Sequence, residues 1–155
     1  LRGNIFKFWR AKMNLNTLKI SLLSFIGVVG STIAQLFGGW SADLTTLLIC
    51  MLADYITGIV VAAYFNNSPK TENGALSSKA GFKGLAKKIA ILLCVIIAYR
   101  LDVTLNISYI KTAVIIAFIA NETISIVENI GLMGIPIPPA ILKAIDVLKN
   151  KKEND

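Results

Sequence analysis

The chain has 155 residues, of which 55% are hydrophobic and 16% charged, with a mean hydropathy of +0.67; it is too apolar for an ordinary soluble domain, whose apolar share is about 45–50%. The net charge of +7 does not indicate nucleic acid, because the basic residues flank apolar segments rather than forming a face of their own. The longest polar stretch, Asn66 to Lys88, reads as a loop, which leaves no room for a soluble catalytic domain. There is no histidine, and Cys50 and Cys94 lie inside apolar runs, so no metal site of His or Cys ligands can be drawn and no cofactor is expected.

Residues 1–19 form a basic arm with Arg2, Lys7, Arg10, Lys12 and Lys19, no acid, and Phe6, Phe8 and Trp9 interleaved. The pattern predicts a segment lying on an anionic membrane surface. Met13 inside it is a candidate internal start.

The first apolar segment, Ile20 to about Trp40, is long enough to span a bilayer. Gly27, Gly30, Ser31, Ala34 and Gly38 fall within about 100° on a helix. The Gly30-x-x-x-Ala34-x-x-x-Gly38 spacing lets helix backbones approach closely, although glycine is enriched in membrane helices generally. A cleaved signal peptide, with a poor site near Thr32 and Ala34, is the weaker reading.

The second segment runs from Leu44 to Phe65 with Asp54 near its centre, and Thr57, Gly58 and Ala62 on the same side. An intramembrane acid predicts a pore or helix–helix contact; a purely structural hydrogen bond is the alternative.

The loop Asn66 to Lys88 has turn signals at Asn67-Ser68-Pro69 and Asn73-Gly74. It carries Lys70, Lys79, Lys83, Lys87 and Lys88 against one acid, Glu72. Its second half reads either as the start of a basic helix lying on the surface or as a phosphate-binding loop, and Lys79, Lys83, Lys87 and Lys88 are expected to face lipid headgroups. Gly81 and Gly84 follow no strand and lack the P-loop spacing, which argues against a nucleotide site.

The third segment, from Lys88 to about Asn106, has a pure apolar run only from Ile89 to Tyr99, so Arg100 must snorkel for it to span. The fourth, Tyr109 to Ile130, carries Asn121, Glu122, Ser125, Glu128 and Asn129 within an arc of about 120°. A carboxylate in hydrocarbon costs about 2.5–3.5 kcal/mol even on the mildest scale, so this stripe must face protein or water. Gly131, Gly134, Pro136, Pro138 and Pro139 end the segment. An amphipathic helix follows, with Ile141, Leu142, Ile145 and Leu148 on one face and Lys143, Asp146 and Asn150 on another.

The expected fold is an all-α integral membrane protein of four transmembrane helices, with three as the alternative. A single membrane domain covers 20–150, with spans near 20–40, 44–65, 88–106 and 109–130, and a charged tail at 151–155. Fourteen of the sixteen Lys and Arg fall on the arm, the central loop and the C-terminal segment. That bias predicts both termini in the cytoplasm.

Asp54-Tyr55-Ile56-Thr57-Gly58, the stretch SSKAGFKGLAKK at 77–88 and NETISIVENIGLMGIPIP at 121–138, in that order and spacing, resemble the phage lysis and toxin-secretion holins. The likeness covers about Leu44 to Asn150. It marks Asp54, Gly58, Ser78, Gly81, Gly84, Lys87, Lys88 and Asp102. It also marks Asn121, Glu122, Ser125, Glu128, Asn129, Gly134, Pro136 and Pro138. The resemblance implies a non-enzymatic inner-membrane protein of a phage or prophage that self-associates in the bilayer and opens holes at a set time. An endolysin then reaches the peptidoglycan, or a toxin leaves, without required direct contact. The arm with Met13 is similar to the two-start arrangement of some holins.

Asp54, Gly58, Asn121, Glu122, Ser125, Glu128 and Asn129 are the expected pore-lining or oligomer-contact residues, and Gly27, Gly30, Ala34 and Gly38 the packing residues. In small assemblies the stripe is expected to be covered by neighbouring helices; in a critical assembly it would line water. An antiholin and a small ion channel or transporter are the competing readings. A membrane enzyme lacks a nucleophile–base pair to carry it.

Overall fold

The computed structural model describes residues 15–150, with side chains described over 17–147. The expectations for residues 1–14 of the basic arm, the faces of Leu148 and Asn150, and the tail 151–155 lie outside the described residues. Five helices and no strand occur among the described residues: α1 Leu15–Leu36, α2 Ala42–Ala63, α3 Ser78–Leu105, α4 Ile110–Leu132 and α5 Pro139–Asn150. The chain divides into two units, residues 1–40 and 41–155.

In the first unit, α1 is 22 residues long, about 33 Å at 1.5 Å per residue. It stops where Gly38 and Gly39 take φ of 73° and 95°, a left-handed exit that glycine adopts without a Cβ penalty. Gly39 N–H donates to Ala34 O at 2.9 Å. Gly27, Gly30 and Ala34 are therefore helical as expected, but Gly38 is a helix-terminating residue beyond the small-residue face.

The second unit holds α2 to α5. In α2, Thr45, Thr46 and Thr57 return their hydroxyls to carbonyls four residues back at 2.8–2.9 Å, which satisfies polar atoms in an apolar helix. After α2 the chain turns tightly: Ser68 N–H donates to Gly74 O at 3.0 Å. Gly74 has φ 71°, and a Cβ there would collide with the carbonyl of Asn66.

The helix α3 begins at Ser78, ten residues before the expected start at Lys88. Gly81 and Gly84 do not break it. They form a shallow face against Tyr55, whose ring atoms would lie 3.8–3.9 Å from a Cβ at Gly84. Lys79, Lys83, Lys87 and Lys88 thus sit on a helix rather than in a loop. Asn106, at φ 54°, ends α3, and Asp102 joins it to α4. The Asp102 carboxylate accepts from Ile110 N–H at 2.9 Å and Lys111 N–H at 3.0 Å, meeting two of the orphan donors at the start of α4. Only residues 106–109 separate α3 from α4.

The packed interior is small: Leu44, Leu47, Met51, Val61 and Ala62 from α2, Val95 and Ala98 from α3, and Ile115 from α4. Large side chains such as Ile49, Leu52, Leu93, Ile97 and Ile116 point outward, at 54–62% exposure. That inversion suits a bilayer, where the solvent is as apolar as the core. Among the described residues, three helices are long and apolar enough to cross a membrane: α1 over Thr17–Leu36, α2 and α4. The 28 residues of α3 carry Lys79, Lys83, Lys87, Lys88, Arg100 and Asp102, and α3 does not join those three on composition.

Candidate functional site: a charged cluster among three helices

Three charged side chains of the second unit, one from each of α2, α3 and α4, meet at one point. The Lys88 ammonium of α3 lies 2.8 Å from Asp54 Oδ2 of α2 and 2.5 Å from Glu122 Oε2 of α4. Their side chains are 12%, 12% and 5% exposed, so this is an interior cluster. Asn129 Nδ2, two turns further along α4, donates to Asp54 Oδ1 at 3.1 Å and Thr57 Oγ1 at 2.9 Å. The same amide lies 3.3 Å from the Asp54 carbonyl. A Cβ at Gly58 would stand 3.7 Å from Asn129 Nδ2, an ordinary contact, so the amide packs directly beside this glycine.

The local sequence explains the convergence. Glu122 and Asn129 are separated by seven residues, two helical turns, so both face α2. Asp54, Thr57 and Gly58 form one face of α2 by the same spacing. Asn67 Nδ2 donates to Leu132 O at 3.1 Å, fixing the end of α4 to the loop after α2. One ammonium meets two carboxylates, so the trio carries a formal excess of one negative charge. Uncovering either carboxylate to lipid is costly; exposing it to water is not.

The structure divides the five-residue stripe of α4. Glu122 and Asn129 are buried, Ser125 is half-buried, and Asn121 and Glu128 are exposed. Glu122 and Asn129 thus meet α2 and α3, Asn121 and Ser125 border a neighbouring cavity, and Glu128 lies outside its wall. Asp54, Gly58, Glu122 and Asn129 are brought together as a group. Lys88 is marked by the resemblance but expected to face lipid headgroups; its placement on two acids is a correction to that expectation. A usable signal was present: Lys88 is the basic residue abutting the apolar run Ile89 to Tyr99, in a chain with two central acids needing a counter-charge.

Beside the cluster lies a cavity of about 550 Å³ between α2, α4, the loop and the first turns of α3. Lys83, Lys87 and Lys88 line it, joined by Lys70; Lys79 does not. Among the described residues, no group of three His, Cys, Asp or Glu is arranged to hold a metal ion.

The sequence profile of the Bacteriophage holin family matches residues 31–150, which include every residue of this cluster. An uncharacterized protein of Listeria innocua, Lin0175, is 40% identical over 139 residues, covering 89% of this chain and 90% of its own length. A 14.9 kDa protein encoded in the nagH 3′ region of Clostridium perfringens is 32% identical, covering 89% and 97%. A protein of Bacillus phage phi105 named "Probable holin" is 30% identical over 113 residues, covering 72% and 76%. No solved structure matches the chain.

Proposed function

The chain belongs to the bacteriophage holin family, and from that premise we propose that it oligomerises in the cytoplasmic membrane and opens holes at a set time. Those holes let an endolysin reach the peptidoglycan, or let a toxin leave the cell. The observation that carries the mechanism is the pairing of Lys88 with Asp54 and Glu122 inside a unit whose outer surface is apolar. In the closed protomer the cluster and Asn129 are mutually satisfied. In a critical assembly α4 turns its stripe, Asn121, Glu122, Ser125, Glu128 and Asn129, toward a water-filled lumen. Water then replaces the intramolecular partners, so the two arrangements differ by little free energy, as a timed switch requires.

Four crossings fit this reading, with α3 as the additional span and both termini cytoplasmic. From Lys88 to Leu105 there are eighteen residues, about 27 Å of helix, close to the hydrocarbon thickness of about 30 Å. Lys88 enters that span as an ion pair instead of a bare charge, and Arg100 and Asp102 lie toward its far end. The lysines of the first turns of α3 hold its cytoplasmic end at the anionic membrane surface. The small-residue face of α1, at Gly27, Gly30 and Ala34, is a contact for another helix.

The test is inducible expression in a bacterium, with and without a cytoplasmic endolysin. Abrupt death after a delay, with a fall in optical density only when the endolysin is present, supports protein-sized holes. Continued growth points to an antiholin. Graded ion leakage without endolysin dependence points to a small channel or transporter.

A further inference from the structure

The cavity at the start of α3 has a charge pattern that the hole-forming reading does not use. Four lysines and two carboxylates line it. Lys88 is taken up by both carboxylates, Asp54 and Glu122, and no further acid lies on the wall. Lys70, Lys83 and Lys87 are therefore surplus ammoniums around a concavity whose volume, about 550 Å³, falls in the usual small-ligand range of about 300–1,000 Å³. Lys83 and Lys87 stand one helical turn apart on the same face of α3. Lys70 reaches across from the loop: its Nζ lies 4.0 Å from the Cβ position of Gly58. Three cations from two separate elements thus surround one volume.

The rest of the wall selects among anions. Ile59, Leu76 and Ile91 also line the cavity, and Leu76 is 59% exposed. A hydrated inorganic anion gains nothing from those side chains, whereas an amphiphile with a phosphate head and a hydrocarbon body satisfies both halves of the wall. We propose that this cavity binds the phosphate headgroup of an anionic phospholipid, with Lys70, Lys83 and Lys87 on the phosphate and Ile59, Leu76 and Ile91 along the glycerol and proximal acyl chain. The proposal rests on the membrane placement given above and deepens it, replacing a diffuse basic surface with one built site adjoining the Lys88 cluster. Bound lipid would brace α2, the loop and α3 in the closed arrangement.

The experiment is thermal unfolding of the purified full chain in neutral detergent. The ligands are phosphatidylglycerol, phosphatidylcholine or inorganic phosphate, each titrated separately. Phosphatidylglycerol at about 100 times its Kd is expected to multiply the folding constant about 100-fold and raise Tm saturably, with no such rise from phosphatidylcholine. Lys83→Gln together with Lys87→Gln should weaken the protection at least tenfold, while Lys79→Gln, outside the cavity, should retain it. Equal loss in Lys79→Gln would show diffuse surface attraction and overturn the proposal. Protection by phosphate alone would assign the site to a soluble anion and overturn it as well. Because the readout is binding, a chain that binds lipid but does not lyse cells leaves the site standing and removes the holin mechanism. A chain that lyses cells but gains nothing from lipid does the reverse.

Discussion

Lys88 of α3 places its ammonium 2.5 Å from the carboxylate of Glu122 in α4, and the two residues are 34 positions apart in the chain. The same nitrogen also holds Asp54 of α2 at 2.8 Å. A single side chain thus connects three helices at the point where the interior is most polar.

Lys88→Met removes that connection and leaves two carboxylates facing each other. Breaking a buried pair from one side costs about 3–5 kcal/mol, so this variant should unfold far more readily than the parent in detergent. Thermal or denaturant unfolding checks the prediction; an unchanged midpoint would mean that the pair carries little of the stability.

Glu122→Leu combined with Glu128→Leu leaves Lys88 paired with Asp54, so the closed protomer should still insert. It removes both acids from the α4 stripe, so lysis should be abolished. Membrane fractionation and a lysis time course read the two halves separately. Normal lysis timing would remove the stripe from the mechanism.

Asn129→Leu deletes the amide that bridges Asp54 Oδ1 and Thr57 Oγ1. Interhelical hydrogen bonds in membranes average about 0.6 kcal/mol, with a maximum near 1.7. The expected destabilisation is about 1 kcal/mol, far below that of Lys88→Met. A loss as large as that of Lys88→Met would show that Asn129, and not the ion pair, organises the cluster.

Asp102→Ala uncovers the first amides of α4. Loss of a capping acceptor costs about 0.5–2 kcal/mol, and the Ile110 and Lys111 amides should exchange with solvent deuterium faster than in the parent. Unchanged protection at those two positions would assign Asp102 another role.

The proposed four-span topology is tested by single cysteines in a background with Cys50→Ala and Cys94→Ala. Asn73→Cys, in the loop before α3, and Ser108→Cys, between α3 and α4, should react with an impermeant thiol reagent from opposite sides of the membrane. Reaction from the same side would remove α3 as a span.

Most of the helical architecture is legible in the sequence, because apolar length and proline or glycine stops are local signals. The short connection at 106–109 and the stop after Leu132 follow from them directly. The start of α3 was only partly legible: a basic helix start is one reading of that stretch, but Gly81 and Gly84 look like helix breakers until they are seen packed beside Tyr55. Gly38 has the spacing of a packing residue, but its positive φ is set by how the chain leaves α1, which spacing does not report. The site was half legible. Asp54, Glu122 and Asn129 stand out as polar atoms in apolar runs, whereas Lys88 looks like an ordinary boundary cation. Its role depends on the register of α3 against α2 and α4, a tertiary fact that its place at the edge of the apolar run suggests but does not set. The split of the α4 stripe, with Glu122 buried and Asn121 exposed, depends on the same register.

The most direct measurement is the lysis time course of a variant in which Asp54→Leu, Lys88→Met and Glu122→Leu are combined. Replacing a whole buried charge cluster by apolar residues of similar size is often neutral or stabilising, so this protein should fold and insert as well as the parent. If the cluster is the switch, cells expressing it with an endolysin keep growing, because nothing in the closed arrangement favours a move toward water. Lysis at the parental time by the triple variant would contradict the mechanism and reduce the cluster to a structural device.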